Sequence, residues 1–200
     1  MTVRPILFSA PMVRAILDGR KTQTRRALRP NKLLDVLPLN DKSGWIGLLE
    51  RGTETVEPKG QTFRCKYGLV GDGLWVRETH YVWKAGNVDG SGRHIAYRAT
   101  DPGSPCSWTP SIHMPRWASR ITLKITDVRC QRLQDISEAD AIAEGCPAVS
   151  LHDLDCASTP PSEHYRKLWN SINGKGSWDT NPWVWALSFT PQSTGDDRGT

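Results

Sequence analysis

Eight consecutive residues concentrate the chemistry of this chain: Gly19-Arg20-Lys21-Thr22-Gln23-Thr24-Arg25-Arg26. Four cationic and three hydrogen-bonding side chains follow directly on a glycine. A helix ending at Gly19 delivers them to one place, and that place reads as an anion or nucleotide site with the parts for catalysis. A threonine hydroxyl is a poor nucleophile until a base removes its proton. A lysine is such a base only when burial or neighbouring cations lower its pKa. Arg20, Arg25 and Arg26 are the neighbouring cations. On a flat strand, positions three apart face opposite ways, so Lys21 and Thr24 cooperate only if the chain turns or bulges between them. A second reading stands beside this one: the two threonines face solvent while Lys21 and Arg26 grip phosphate.

The elements that must position these groups are legible in part. Val3 to Ser9 is short and apolar, a strand with Pro5 at an edge or start. Pro11 opens a helix to Asp18, with Met12, Ala15 and Ile16 at helical spacing and Gly19 as its C′ residue. Gly71-Asp72-Gly73 is a turn into a strand from Leu74 to Thr79, and His94 to Ala99 reads as another strand. Ile121 to Val128 alternates as a half-buried strand. Ser137 caps a helix with Asp140 as a capping-box-like partner, and Gly145 ends it. Ser162 to Asn173 is a third helix with Tyr165, Leu168, Trp169 and Ile172 as its apolar stripe. Pro182 to Phe189 is the last strand. Arg29 to Gln61 reads as loop-rich, with a hairpin around Gly44 to Gly47, and Thr100 to Pro115 as loop. Helices and strands do not alternate regularly, which argues for an α+β mixed barrel rather than a doubly wound sheet.

Composition bounds the rest. Two hundred residues suit one domain, here 1–190 with insertions near 29–62 and 84–116 and a polar, disordered tail at 191–200. A net charge of +5 favours a polyanionic partner. Nine tryptophans against three phenylalanines favour cores, interfaces and base stacking alike. Five cysteines without a C-x-x-C, and histidines without ligand spacing, argue against a disulfide framework or a zinc site. The expectation is a reduced, cytoplasmic protein with no metal and no cofactor. The first residues lack a secretory-signal pattern and no apolar run reaches membrane-spanning length. Trp117 lies between Arg116 and Arg120, a pattern that either stacks a base between phosphate-holding cations or closes a barrel end. Glu78 ends the strand after the Gly-Asp turn and is a candidate carboxylate, its bland alternative being an ion pair with an arginine.

Gly19-x-Lys21-x-x-Thr24-x-Arg26 resembles the G-x-K-x-x-E-x-R signature of ASCH domains, a branch of the PUA-like superfamily, with Thr24 in place of the usual Glu. The stretches Gly71 to Glu78, Pro115 to Ile121, Ile136 to Ala141 and Asn181 to Trp185 are similar to the phage and prophage-encoded ASCH group. The resemblance spans residues 3 to 190. It implies a small PUA-like β-barrel whose cleft takes a nucleoside, RNA or single-stranded nucleic acid. One branch of the family hydrolyses the acetyl amide of N(4)-acetylcytidine with a Lys, Thr and Glu triad, and its G-R-K-T-x-T motif is similar to Gly19 to Thr24. That resemblance implies Lys21 and Thr24 as catalytic residues. A T-x-x-x-A-x-x-E pattern laid on Ser137 to Glu144 implies Glu144 as the third. The binding set is then Arg20, Arg25, Arg26, Glu78, Arg116, Trp117 and Arg120. Two alternatives remain, a non-catalytic RNA- or DNA-binding module and a ribonuclease.

Overall fold

The computed structural model describes residues 1–28, 33–38, 45–49, 61–83, 94–103, 107–147 and 159–192, with backbone alone at 33–38, 45–49 and 61–63. In chain order the elements are β1 (Val3–Leu7), α1 (Ala10–Leu17), β2 (Gln23–Ala27), β3 (Leu33–Pro38), β4 (Trp45–Leu49), β5 (Gln61–Phe63), β6 (Gly73–Arg77), β7 (His80–Trp83), β8 (His94–Tyr97), β9 (Thr122–Arg132), α2 (Glu138–Ala143), α3 (Pro161–Asn173) and β10 (Trp183–Gln192). The main sheet has the order β1-β6-β9-β10-β2, parallel only between β1 and β6.

β10 organises the molecule because both of its faces are buried. Trp183, Trp185, Leu187 and Phe189 point into a main core with Ile6, Val13, Ile16, Leu74, Val76, Leu123 and Ile125. Val184, on the other face, joins Leu133, Ile136, Ala141, Tyr165 and Trp169 in a second core under α2 and α3. This alternation is the period of a strand covered on both sides. A register shift between Ser188 and Phe189 bends β10 against β9, as a bulge does.

The α+β class expected from the sequence holds, but the sheet is not a closed barrel. Among the described residues no backbone ladder joins β1 to β2. A side chain spans that seam instead: the Arg26 guanidinium on β2 donates to the Leu7 carbonyl on β1 at 2.5 Å and lies over the Phe8 ring. The segment expected to be loop-rich holds an antiparallel three-stranded sheet, β3-β4-β5. Trp45 to Gly47 lie within β4 rather than in a hairpin turn, consistent with the apolar run Trp45-Ile46-Gly47-Leu48-Leu49. The expected tail falls outside the described residues apart from its first two, which extend β10.

Candidate active site

α1 sets the first catalytic candidate. Its C-terminus closes with Asp18 N–H on the Arg14 carbonyl and Gly19 N–H on the Ile16 carbonyl, and Gly19 takes φ +72°, the left-handed geometry that favours glycine. Lys21 N–H then reaches back to the Ala15 carbonyl. Lys21 precedes β2, which begins only at Gln23, so Lys21 and Thr24 do not lie on one flat strand. The Lys21 side chain is fully buried. Its Nζ donates to the carbonyl oxygens of Gln23 and Glu144, both at 2.8 Å, and to Glu144 Oε2 at 2.7 Å. Three acceptors match the three protons of an ammonium group. The Gln23 carbonyl belongs to the peptide that leads into Thr24, so Nζ lies beside Thr24's own backbone.

α2 sets the carboxylate. Ser137 Oγ accepts from Asp140 N–H at 3.1 Å, the N-cap expected from the sequence. The Asp140 carboxylate does not complete a capping box. It takes Arg25 Nη2 at 2.7 Å and Arg129 Nη2 at 3.4 Å. Glu144 ends the helix one turn later, so both carboxylates share a helix face. Its Oε1 accepts from Arg25 Nη1 at 3.2 Å, and the same Nη1 donates to Gln23 Oε1 at 2.6 Å. Arg25 on β2 and Arg129 on β9 flank Ala186 of β10 in register. That small side chain leaves the two arginines room to reach Asp140. The ends of α1 and α2 meet here, with Thr22 N–H on the Ala143 carbonyl.

Burial lowers the Lys21 pKa from its ordinary value and outweighs the opposing attraction of Glu144, with Arg26 pushing the same way as burial. Burial also pushes the nearby Cys146 thiol up to about 11, so it is a neutral thiol at physiological pH and no nucleophile. Asp140 is pushed up by burial, but Arg25 and Arg129 reverse this and hold its carboxyl below the usual range.

Thr24 and Glu144 line one cavity of about 50 Å³, together with Met12, Arg26, Tyr165 and Trp169. The volume takes more than one water. Thr24 is buried, on the strand face opposite Arg25. Among the described residues its hydroxyl has no hydrogen bond to Lys21 or Glu144. Tyr165 stands under Arg25, ring to guanidinium at 6.0 Å.

The remaining sequence candidates separate from this centre. Arg20 is exposed and paired with Asp18 at 2.8 Å. Glu78 is buried and bound by Arg120 through Nε at 2.9 Å and Nη2 at 3.1 Å, with that guanidinium 3.9 Å over the Tyr97 ring. The ion pair with an arginine is thus what the structure shows for Glu78. Arg116 lies over Trp75 at 5.7 Å. Trp117 is 54% exposed and does not plug a barrel end. Lys21, Arg25, Arg26, Arg116 and Arg120 consequently do not form one positive surface, since three of them are held by carboxylates. Asp140, Gln23 and Tyr165 were not singled out from the sequence as site residues. For Asp140 a signal existed: the i, i+4 spacing to Glu144 on a capped helix.

Among the described residues there is no cluster of three or more His, Cys, Asp or Glu side chains able to hold a metal, and no helix is long and apolar enough to cross a membrane. No family model and no curated protein matches the chain. Two solved structures are similar to it at low identity. One is an ASCH domain from Lactobacillus crispatus JV V101, at 11% identity and TM-score 0.38, covering 95% of this chain and 79% of that one. The other is a protein of family DUF984 from Enterococcus faecalis V583, at 14% identity and TM-score 0.38, covering 96% and 80%.

Proposed function

We propose that this chain hydrolyses an acyl amide on a nucleobase, of the N(4)-acetylcytidine type, with Thr24 as nucleophile, Lys21 as base and Glu144 as its proton partner. The observation that carries this reading is the 2.7 Å contact between the buried Lys21 ammonium and Glu144, made where Glu144 and Thr24 share a cavity. In the reaction, Lys21 passes its proton through Glu144 to solvent and becomes neutral, a step that burial favours because it removes a charge from a dry site. The Lys21 lone pair then takes the Thr24 hydroxyl proton as Oγ adds to the acyl carbonyl. Arg26, on the same strand face two residues on, offers positive charge to the developing oxyanion. The carbon–nitrogen bond breaks, and Lys21 returns the proton to the leaving amine. Water then gives a proton to the same lysine as it adds to the Thr24 ester, the lysine returns that proton to Thr24 Oγ as the ester carbon–oxygen bond breaks, and the acid leaves.

A second reading is favoured by the saturation of Lys21: three acceptors fix it as an ammonium, as in a structural ion-pair network, and the chain then binds nucleic acid without altering it. Acetylcytidine turnover, read by mass, separates the two. Thr24→Val keeps the shape of the side chain and removes the hydroxyl. On the catalytic reading it lowers turnover by at least about 10³-fold with little change in melting temperature. Lys21→Met, by contrast, leaves Glu144 with one partner fewer and lowers stability by about 3–5 kcal/mol. Wild-type protein that leaves acetylcytidine intact, alone and within RNA, excludes the hydrolase.

A further inference from the structure

Arg26 lines two cavities. One is the Thr24–Glu144 cavity; the other is a larger cleft of about 320 Å³ along the free edge of β1, lined by Arg4, Leu7, Arg26, Lys66, Tyr67 and Arg77. Four of these residues are cationic and none is acidic. Arg4 meets Asp72 at 3.4 Å. Among the described residues Arg26, Lys66 and Arg77 have no carboxylate partner. Arg26 and Arg77 each commit one terminal nitrogen to a backbone carbonyl, of Leu7 and Ile112. The Nε of each is buried with no hydrogen-bond partner. Aromatic rings hold the cations in place: Lys66 stands 5.0 Å over Tyr67 and Arg77 5.5 Å over Trp75. The buried Lys21 and Arg25 and the half-buried Arg120 are matched by acids, whereas among the described residues the half-buried Arg26 and Arg77 and the exposed Lys66 are not. A cleft that gathers four positive charges and leaves three unmatched has the character of an anion site, and four cations suit more than one negative charge.

We propose that this cleft binds the phosphates of a single-stranded oligonucleotide whose acylated base presents its acyl group to the Thr24 cavity. Arg26 is the junction. On β2 it shares a face with Thr24, roughly 7 Å along the strand, a distance within the span of one nucleotide. The substrate class that follows is a nucleic-acid strand rather than a free nucleoside. Placement of a modified base at Thr24 rests on the function proposed above; phosphate binding in the cleft does not.

The test is fluorescence anisotropy with a short labelled single-stranded RNA at several salt concentrations, on protein checked for folding by thermal melt. Lys66→Gln and Arg77→Gln should each weaken binding about tenfold or more, the effect of removing one charge-assisted hydrogen bond. Each should also lower the salt slope by about 0.7 for every phosphate that is no longer neutralised. Lys167→Gln, exposed on α3 and outside both cavities, should bind like wild type. Absence of RNA binding at low salt, or variants of Lys66 and Arg77 with wild-type affinity and slope, overturns the proposal. Tighter binding of cytidine monophosphate than of the strand also overturns it, in favour of a mononucleotide site. Where acetylated RNA is hydrolysed, Lys66→Gln raises its KM. Where RNA binds the cleft yet no acetyl group is released, the hydrolase fails and the cleft assignment stands.

Discussion

Lys21 is held by two opposed influences. Three oxygens stabilise its charged form, while complete burial and the nearby Arg26 disfavour it, and the balance lies on the lowered side. A base of this kind works only in the fraction that is neutral, so its pKa has to appear in the rate. Acetylcytidine hydrolysis should rise with pH through a single limb whose midpoint lies below the 10.5 of an ordinary lysine. Glu144→Gln removes the attraction that raises the pKa and the acceptor for the proton. The limb should therefore move to lower pH while the plateau rate falls. A pH–rate profile of both proteins measures this, and a limb at the same pH in each would separate Lys21 from catalysis. The residues themselves were readable because glycine, lysine and threonine at fixed spacing constrain both backbone and chemistry. Arg25 was readable as a cation but not as a buried one. Its burial depends on Asp140 and Glu144, which lie more than a hundred residues away in the chain.

At the scale of elements, the capped and terminated helices were legible and β2 was not. α1 has proline at its start and glycine past its end, and α2 has Ser137 and Gly145. β2 reads Gln-Thr-Arg-Arg-Ala, with no apolar alternation to mark it. It is a strand because β10 pairs with it and because carboxylates on α2 neutralise its inward arginine. Gly145 is the hinge that joins these parts. It has φ +93°, and a Cβ there would sit 3.3 Å from the Ala15 Cβ and 3.4 Å from the Lys21 Cβ. Gly145→Ala should cost about 1–2 kcal/mol from the left-handed backbone alone and push Lys21 and α1 away from Glu144. Urea unfolding checks the first effect. The second appears as loss of turnover in protein that is still folded. Full activity in the variant would mean that the Lys21–Glu144 contact tolerates displacement.

Across the whole molecule, the class of fold was legible and its closure was not. Alternating strands specify sheet, and irregular order specifies α+β. Whether the outer strands pair depends on a seam that here is bridged by Arg26 rather than by a ladder. Charge acts at this scale too. The carboxyls of Asp72, Asp101 and Asp140 all lie below their usual values. Backbone N–H groups of Thr2 and Leu69 hold Asp72, and the Tyr97 N–H and Thr100 hydroxyl hold Asp101. At Asp140 burial works the other way and is outweighed by Arg25 and Arg129. A carboxyl whose folded pKa is depressed contributes stability that is complete above the unfolded value of about 3.9 and is lost as pH falls through the folded value. Burial likewise lowers the His80 pKa from its ordinary 6.5, so stability measured by urea unfolding should begin to fall below about pH 6.5 and decline further below about pH 4. Asp140→Asn should lower the level at pH 6, because Arg25 and Arg129 lose a charged partner, and should make the acid decline shallower. Wild-type and variant curves that fall in parallel below pH 4 would show that Asp140 is not among the groups whose protonation unfolds the protein.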